Sequence, residues 1–322
     1  MPKPIASDTS ETVEKILYLD QNAWVSMARG AWDKTSYPQD HVRLVKVVEA
    51  LQQQRFIVPL SFANIYETLK INDPVRRANM ARVQVTISGG RVFRGRRRIL
   101  DETLAAYLAD KFAIRRASPE SHWFLSNLWF EAAADYSPGV FGIALSDAVL
   151  EYMRSDPARA LFDYLTASDE DVRREGVRRF SAGSADLVAG IEARRAIVAS
   201  ETLALRKRAY AARLIVDELD FILATGRRLG LNWNDVRDIE PSLVRSIPAD
   251  VPILATEREL AVRLEDQIRP IAENDLRDMS AFATVLPLAD IVIGEKTFVN
   301  LALQARLGKT YGTRLLTSLD EL

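Results

Sequence analysis

Acidic side chains stand in this chain at positions where chemistry is commonly done. Asp20 follows the apolar run Ile16-Leu17-Tyr18-Leu19, Glu67 lies in a helical stretch behind a second apolar run, and Glu295 follows Ile291-Val292-Ile293. Asp275 and Asp278 are three residues apart at the start of a helical pattern, hence on one face. Carboxylates brought together repel and push one another's pKa upward unless a cation neutralises them. A hard divalent ion, Mg²⁺ or Mn²⁺, meets that need with oxygen ligands and retained water. Such an ion polarises a phosphoryl oxygen and lowers the pKa of a bound water, which suits hydrolysis of a phosphodiester. Each acid also has a plainer use. Asp20 and Asp278 could be helix N-caps, Asp275 a partner of the helix dipole, Glu67 a solvent-facing helix residue, and Glu295 with Lys296 an exposed turn. Asp290 stands apart, either at the opposite end of its strand or turned toward the others from the preceding helix.

The elements that must position these groups follow from apolar periodicity. Lys15–Leu19, 55–60, 289–293 and 313–317 read as strands, the first a continuous apolar run of the kind buried on both faces of a parallel sheet. Helical patterns over 41–53, 62–70, 255–268 and 297–305 separate them, with Ser61 as N-cap of the second. Strands alternating with helices call for an α/β sheet with right-handed crossovers. Open sheets of that kind place their ligands at the carboxyl edge, where Asp20 and Glu295 would sit. Residues 99–251 are rich in Ala, Leu and Arg with almost no strand signal. They read as an all-helical insertion into a unit made of 14–98 and 252–322. His122-Trp123-Phe124-Leu125, with Trp129 and Phe130, reads as helical core of the insertion. Ile191, Val198, Leu205, Ala212 and Leu219 recur every seven residues in a stretch free of Pro and Gly. That pattern predicts one long helix over 190–225, or two nearly end to end, packed within the molecule or in a homodimer.

In their order, the segments ILYLDQNAW, IVPLSFANIYETLK and NDLRDMSAFATVLPLADIVIGEKTF resemble the PIN-like nuclease superfamily. The resemblance covers roughly 14–98 and 252–322 and leaves the central helices outside. It implies a three-layer α/β/α fold with a central parallel sheet and a metal-dependent ribonuclease or single-strand nuclease site. Asp20, Glu67 and Asp278 match the first three acidic positions of the family. Glu295 stands where the family more often has Asp, and Asp275 and Asp290 are further candidate metal ligands. The expectation is a Mg²⁺- or Mn²⁺-dependent endonuclease for RNA, with DNA open as a substrate and Asp20, Glu67, Asp278 and Glu295 catalytic. Whether Glu295 or Asp290 completes the metal site is open. Two rivals stand beside it: a non-catalytic module that binds nucleic acid or protein, and a metal enzyme for a small phosphorylated substrate. A toxin, a defence nuclease and an RNA-processing enzyme are equally compatible roles.

Candidate contacts to nucleic acid lie beside these acids. Asn22 and Gln21 could orient water or phosphate, or cap a helix; Lys296 could meet a phosphate, or be a surface lysine. From Pro74 to Leu100 the chain carries eight arginines and no Asp, Glu or Lys, a local charge of +8. Gly89, Gly90 and Gly95 make residues 88–98 read as a mobile loop presenting Arg91, Arg94, Arg96, Arg97 and Arg98, with Phe93 offering a stacking face. The competing use is a basic face that meets acids of the insertion.

Composition excludes much else. Of 322 residues, 48% are hydrophobic and 27% charged, and 43 Lys and Arg nearly balance 44 Asp and Glu, the profile of a globular chain. The absence of cysteine excludes disulfides, thiolate metal sites and cysteine nucleophiles, and two histidines argue against a histidine-rich site. Gly308-Lys309-Thr310 lacks the first glycine of a phosphate-binding loop, and no Gly-x-Ser-x-Gly elbow occurs. The polar start MPKPIASDTSETVEK shows no secretory signal and no apolar run is long enough for a membrane span, so the expectation is a cytoplasmic protein.

Overall fold

Strand β1 (Lys15–Leu19) stands at the centre of a parallel sheet, between β2 (Phe56–Ile57) and β5 (Ile291–Ile293), with β6 (Arg314–Leu316) beyond β5. The computed structural model describes residues 14–53, 55–141, 144–167 and 169–322. The polar start through residue 13 lies outside the described residues. Registry is set by Ile16 against Ile57, Leu17 against Ile291 and Ile291 against Arg314. A second pair, β3 (Val92–Phe93) and β4 (Leu125–Ser126), is antiparallel. It joins the first sheet through one parallel bridge, in which the Leu60 N–H donates to Arg91 O at 3.0 Å and the Phe93 N–H to Leu60 O at 2.8 Å. The chain is therefore α/β, with a small parallel sheet in a mostly helical molecule.

Side-chain alternation along the strands gives each face of the sheet its own core. Leu17, Leu19, Ile291 and Ile293 pack with Trp24, Met27, Val47 and Met80 on one face. Ile16, Tyr18 and Val292 pack on the other with Phe93, Tyr210, Leu214, Ile222 and Phe282. These strand residues are all buried, and each large apolar side chain so placed contributes about 1.5–3 kcal/mol. The second face includes residues from between 99 and 251, so the insertion shares its core with the sheet.

The insertion departs from its sequence pattern at two places. Leu125–Ser126 is a strand rather than part of an aromatic helix, and Trp129–Ala132 is a single 3₁₀ turn. Of the two forms expected over 190–225, a single long helix is not seen, and helices follow one another closely instead. Helix Glu170–Val198 ends before Thr202, whose hydroxyl caps Leu203–Asp217, and Leu219–Arg228 follows. Leu205 is exposed at 37%, and the buried positions of its helix are Arg206, Tyr210, Leu214 and Ile215, in steps of four, four and one instead of seven. The heptad therefore marks no continuous seam, and the burial pattern lends the expected homodimer through 190–225 no support.

Candidate acidic site

Local sequence fixes the position of each acid. Asp20 leaves β1 and caps helix Gln21–Trp32, with its Oδ1 accepting from the Asn22 N–H at 2.9 Å and the Ala23 N–H at 3.2 Å. Its own N–H donates to Ile293 O at 2.9 Å, which ties the ends of β1 and β5 together. Glu295 occupies the N-cap position of helix Lys296–Gln304, next to Gly294, with no side-chain bond to the helix N–H groups. Asp278 lies in the second turn of helix Glu273–Val285, and Phe282 stands one turn later on the same face. A Cβ at Gly294 would strike the Phe282 ring, so the glycine allows the helix to close on the end of β5. That approach brings the Asp278 carboxyl within hydrogen-bonding reach of Glu295.

Three acids thus converge at the carboxyl edge of the sheet. Burial raises the Asp278 pKa to about 8, reinforced by Glu295 and Asp20, because a hydrogen bond between two carboxyls requires one of them to keep a proton. Burial also raises Asp20, to about 6, although the N–H groups of Ala23 and Asn22 pull it down. Tyr18 lies beneath them, its phenol 3.3 Å from Ser61 Oγ and pushed well above its usual range by burial. Among the described residues no Lys or Arg lies within ion-pair distance of Asp20, Asp278 or Glu295. A cleft of about 190 Å³ opens over Asp20 and Glu295, with Asn22, Lys296, Arg43 and Thr317 in its wall. Both Asn22 and Lys296 are exposed there.

The remaining acids are committed elsewhere. The Glu67 carboxylate takes an ion pair from Arg277 Nε at 2.8 Å and a longer one from Lys70 at 3.5 Å. Arg277 also pairs with Glu273 and lies 5.2 Å over the Tyr66 ring. Asp275 accepts a two-pronged contact from Arg269, at 2.6 and 2.7 Å, and one from the Ala272 N–H at 2.7 Å. Burial works against its charge, yet these donors keep its pKa below the usual carboxylate value. Asp290 lies at the amino end of β5 and accepts from the Ile16 N–H at 2.9 Å. The parallel sheet therefore sets Asp290 on the edge opposite Asp20. Neither Asp275 nor Asp290 joins the cluster: one balances an arginine, the other holds a strand end.

The arginine segment is no open loop. Val92 and Phe93 form β3, Gly95 packs so closely on the Ala133 carbonyl that a Cβ has no room, and helix Arg96–Lys111 begins at once. Its guanidinium groups face acids of the insertion and Glu257 just beyond it. Arg94 meets Glu131 at 2.6 Å and Asp135 at 3.0 Å, and Arg98 meets Asp135 at 3.6 Å. Arg96 joins Glu218 at 2.6 Å and Glu257 at 2.8 Å, while Arg97 reaches Glu218 at 2.9 Å and stacks on Phe221. The expectation that Arg94, Arg96, Arg97 and Arg98 track a nucleic acid is corrected: they hold the insertion to the sheet. Arg91 alone of the five is exposed without an acidic partner among the described residues.

Sequence reasoning missed Arg277, Tyr18 and a buried polar chain beside the site. In that chain Asn64 donates to Leu19 O at 3.3 Å and accepts from the Ser61 N–H at 2.9 Å, and Thr68 donates to Gln84 at 2.9 Å. Ser61 followed three residues later by Asn64 carries the spacing of a reciprocal cap, which was the available signal. Among the described residues no group of three or more acids or histidines stands ready-made as a metal cage. The donor set nonetheless suits Mg²⁺ or Mn²⁺, which is commonly held by one or two carboxylates and water. A carboxyl pair that needs a proton can take a cation in its place. Compared with protein-family models, with curated proteins and with solved structures, the chain matches none. No helix among the described residues is long and apolar enough to cross a membrane.

Proposed function

We propose that this chain is a metal-dependent endonuclease for single-stranded RNA, built on a PIN-like three-layer fold. One observation carries the reading: Asp20 and Glu295 follow the carboxyl ends of neighbouring parallel strands, Asp278 lies within hydrogen-bonding reach of Glu295, and among the described residues no Lys or Arg pairs with any of the three. The parallel sheet with apolar cores on both faces, and the order of the acid-bearing segments, support it. Asp20, Asp278 and Glu295 would hold the ion. Such an ion supplies charge for the phosphate and a water of lowered pKa. Asp20 is oriented by the two N–H groups it caps, and Asp278 by the packing of Phe282 on Gly294. Glu67 would act only through Arg277, which adjoins Asp278 in the chain, while Lys296 and Asn22 line the cleft where a phosphate would enter. Incubation of end-labelled single-stranded RNA with Mn²⁺ tests the reading. Cleavage is expected for the native chain and is lost in EDTA and in Asp278→Asn. Cleavage that persists in either refutes it.

A second reading, a non-catalytic nucleic-acid-binding module, draws on the ion pair that engages Glu67 with Arg277. It requires strand binding with no product in Mn²⁺.

A further inference from the structure

Arginines without acids to face are found away from the arginine-rich segment. Arg29, at the end of helix Gln21–Trp32, and Arg76 and Arg82, on helix Pro74–Ser88, are exposed and have no acidic partner among the described residues. They surround two aromatic rings that the fold leaves in solvent, Trp32 at 47% and Tyr37 at 41% exposure. Arg29 stacks over Tyr37 at 5.4 Å and Arg82 over Trp32 at 5.4 Å, while the Trp32 Nε1–H reaches Asn79 O at 3.4 Å. The rings border a groove of about 360 Å³ that Gln21, the residue after Asp20 in the chain, and Glu67 also line. Its other acid, Asp33, is turned onto the Ser36 N–H at 3.0 Å.

We infer that this groove binds single-stranded nucleic acid, with bases against Trp32 and Tyr37 and phosphates on Arg29 and Arg76. Large aromatic faces kept in water beside unpaired guanidinium groups match what an unstacked strand offers: flat apolar bases joined by regularly spaced negative charge. A duplex, whose bases are already stacked, cannot use the rings. A guanidinium already paired with a carboxylate gains little from a phosphate, which separates this groove from Arg94–Arg98. Gln21 lines the groove and adjoins Asp20 in the chain, so a strand bound here would run toward the acidic centre. Only this last point rests on the nuclease reading; strand binding stands apart from it.

Fluorescence anisotropy of labelled oligo(U) and oligo(dT) twelve-mers, titrated with the full chain in EDTA, provides the test. The native chain binds both strands. Trp32→Ala with Tyr37→Ala weakens binding roughly tenfold or more. Arg29→Ala with Arg76→Ala weakens it and lowers the slope of log affinity against log salt by about 1.4, at ~0.7 for each phosphate contact. Arg208→Ala with Lys309→Ala removes the same charge from other surfaces and leaves affinity unchanged. Circular dichroism establishes that each variant is folded; should the aromatic pair fail to fold, the surface arginine pair decides. Absence of binding by the native chain overturns the inference, as does native affinity in the arginine variant. A strand that is bound but left intact in Mn²⁺ removes the nuclease reading and keeps the groove.

Discussion

Replacing Asp20 by Asn separates the roles this residue combines. Its carboxyl is raised from 3.8 to about 6, close to two pH units, and each unit is worth about 1.4 kcal/mol. The full conversion gives about 3 kcal/mol; water reaching the partly exposed group lowers this to about 1–3 kcal/mol. A carboxyl raised on folding contributes stability that is fully present below pH 4 and lost as pH climbs through 6. Asn carries no charge and caps a helix about as well as Asp, so the N–H groups of Asn22 and Ala23 keep an acceptor. Asp20→Asn is therefore expected to be more stable than the native chain at pH 8, and nearly equal to it at pH 4. At roughly 2 °C per kcal/mol the gain in Tm is about 2–6 °C. Thermal melts in EDTA at pH 4, 6 and 8 measure it, alongside cleavage in Mn²⁺, which the substitution should abolish. A variant that melts below the native chain by one margin at every pH would refute the reasoning, for the carboxylate would then be an ordinary cap.

Other outcomes follow from the same geometry. Protons compete with metal at Asp20 and Asp278, so the rise in Tm caused by Mn²⁺ should be small at pH 6 and larger at pH 8; a rise independent of pH counts against a carboxylate site. Glu218→Ala leaves Arg96 with Glu257 and frees Arg97, and should cost about 2–3 kcal/mol in urea unfolding, where a loss below about 0.5 kcal/mol would show the pairs to be ornamental. Arg277→Met strips Glu67 and Glu273 of a buried partner and should cost about 3 kcal/mol by the same measurement.

Much of the sheet was legible because its cue is local. Lys15–Leu19 is an uninterrupted apolar run, and the structure gives it those bounds. The Ser61 cap and helix Phe62–Leu69 were legible for the same reason. Asp20 and Glu295 were placed correctly because a residue that follows a parallel strand must reach the carboxyl edge. Asp275 was not, since nothing near it in sequence says that Arg269 will turn back to meet it. Partners far apart in the chain defeated the reading of Arg94–Arg98 too: Glu218 and Glu257 lie more than a hundred residues downstream. Glycine there signalled tight packing instead of mobility. The seven-residue repeat misled because one helix ends at Val198 and Thr202 caps the next, and spacing alone does not reveal the break. Trp32 and Tyr37 drew no notice, because exposure is a property of the whole fold.

Tyr18, buried under the three acids, touches a core whose other walls are Phe93, Phe124 and Tyr210. The central helices are thus mortared into the floor of the acidic centre, and a version trimmed of residues 99–251 would strip Tyr210, Leu214 and Ile222 from that side of the sheet while leaving Phe282 and Phe298 on it. Any force that pries those helices outward must be felt at the floor before it reaches the rim. A small molecule wedged among them would press on Tyr18 from behind, without ever entering the cleft.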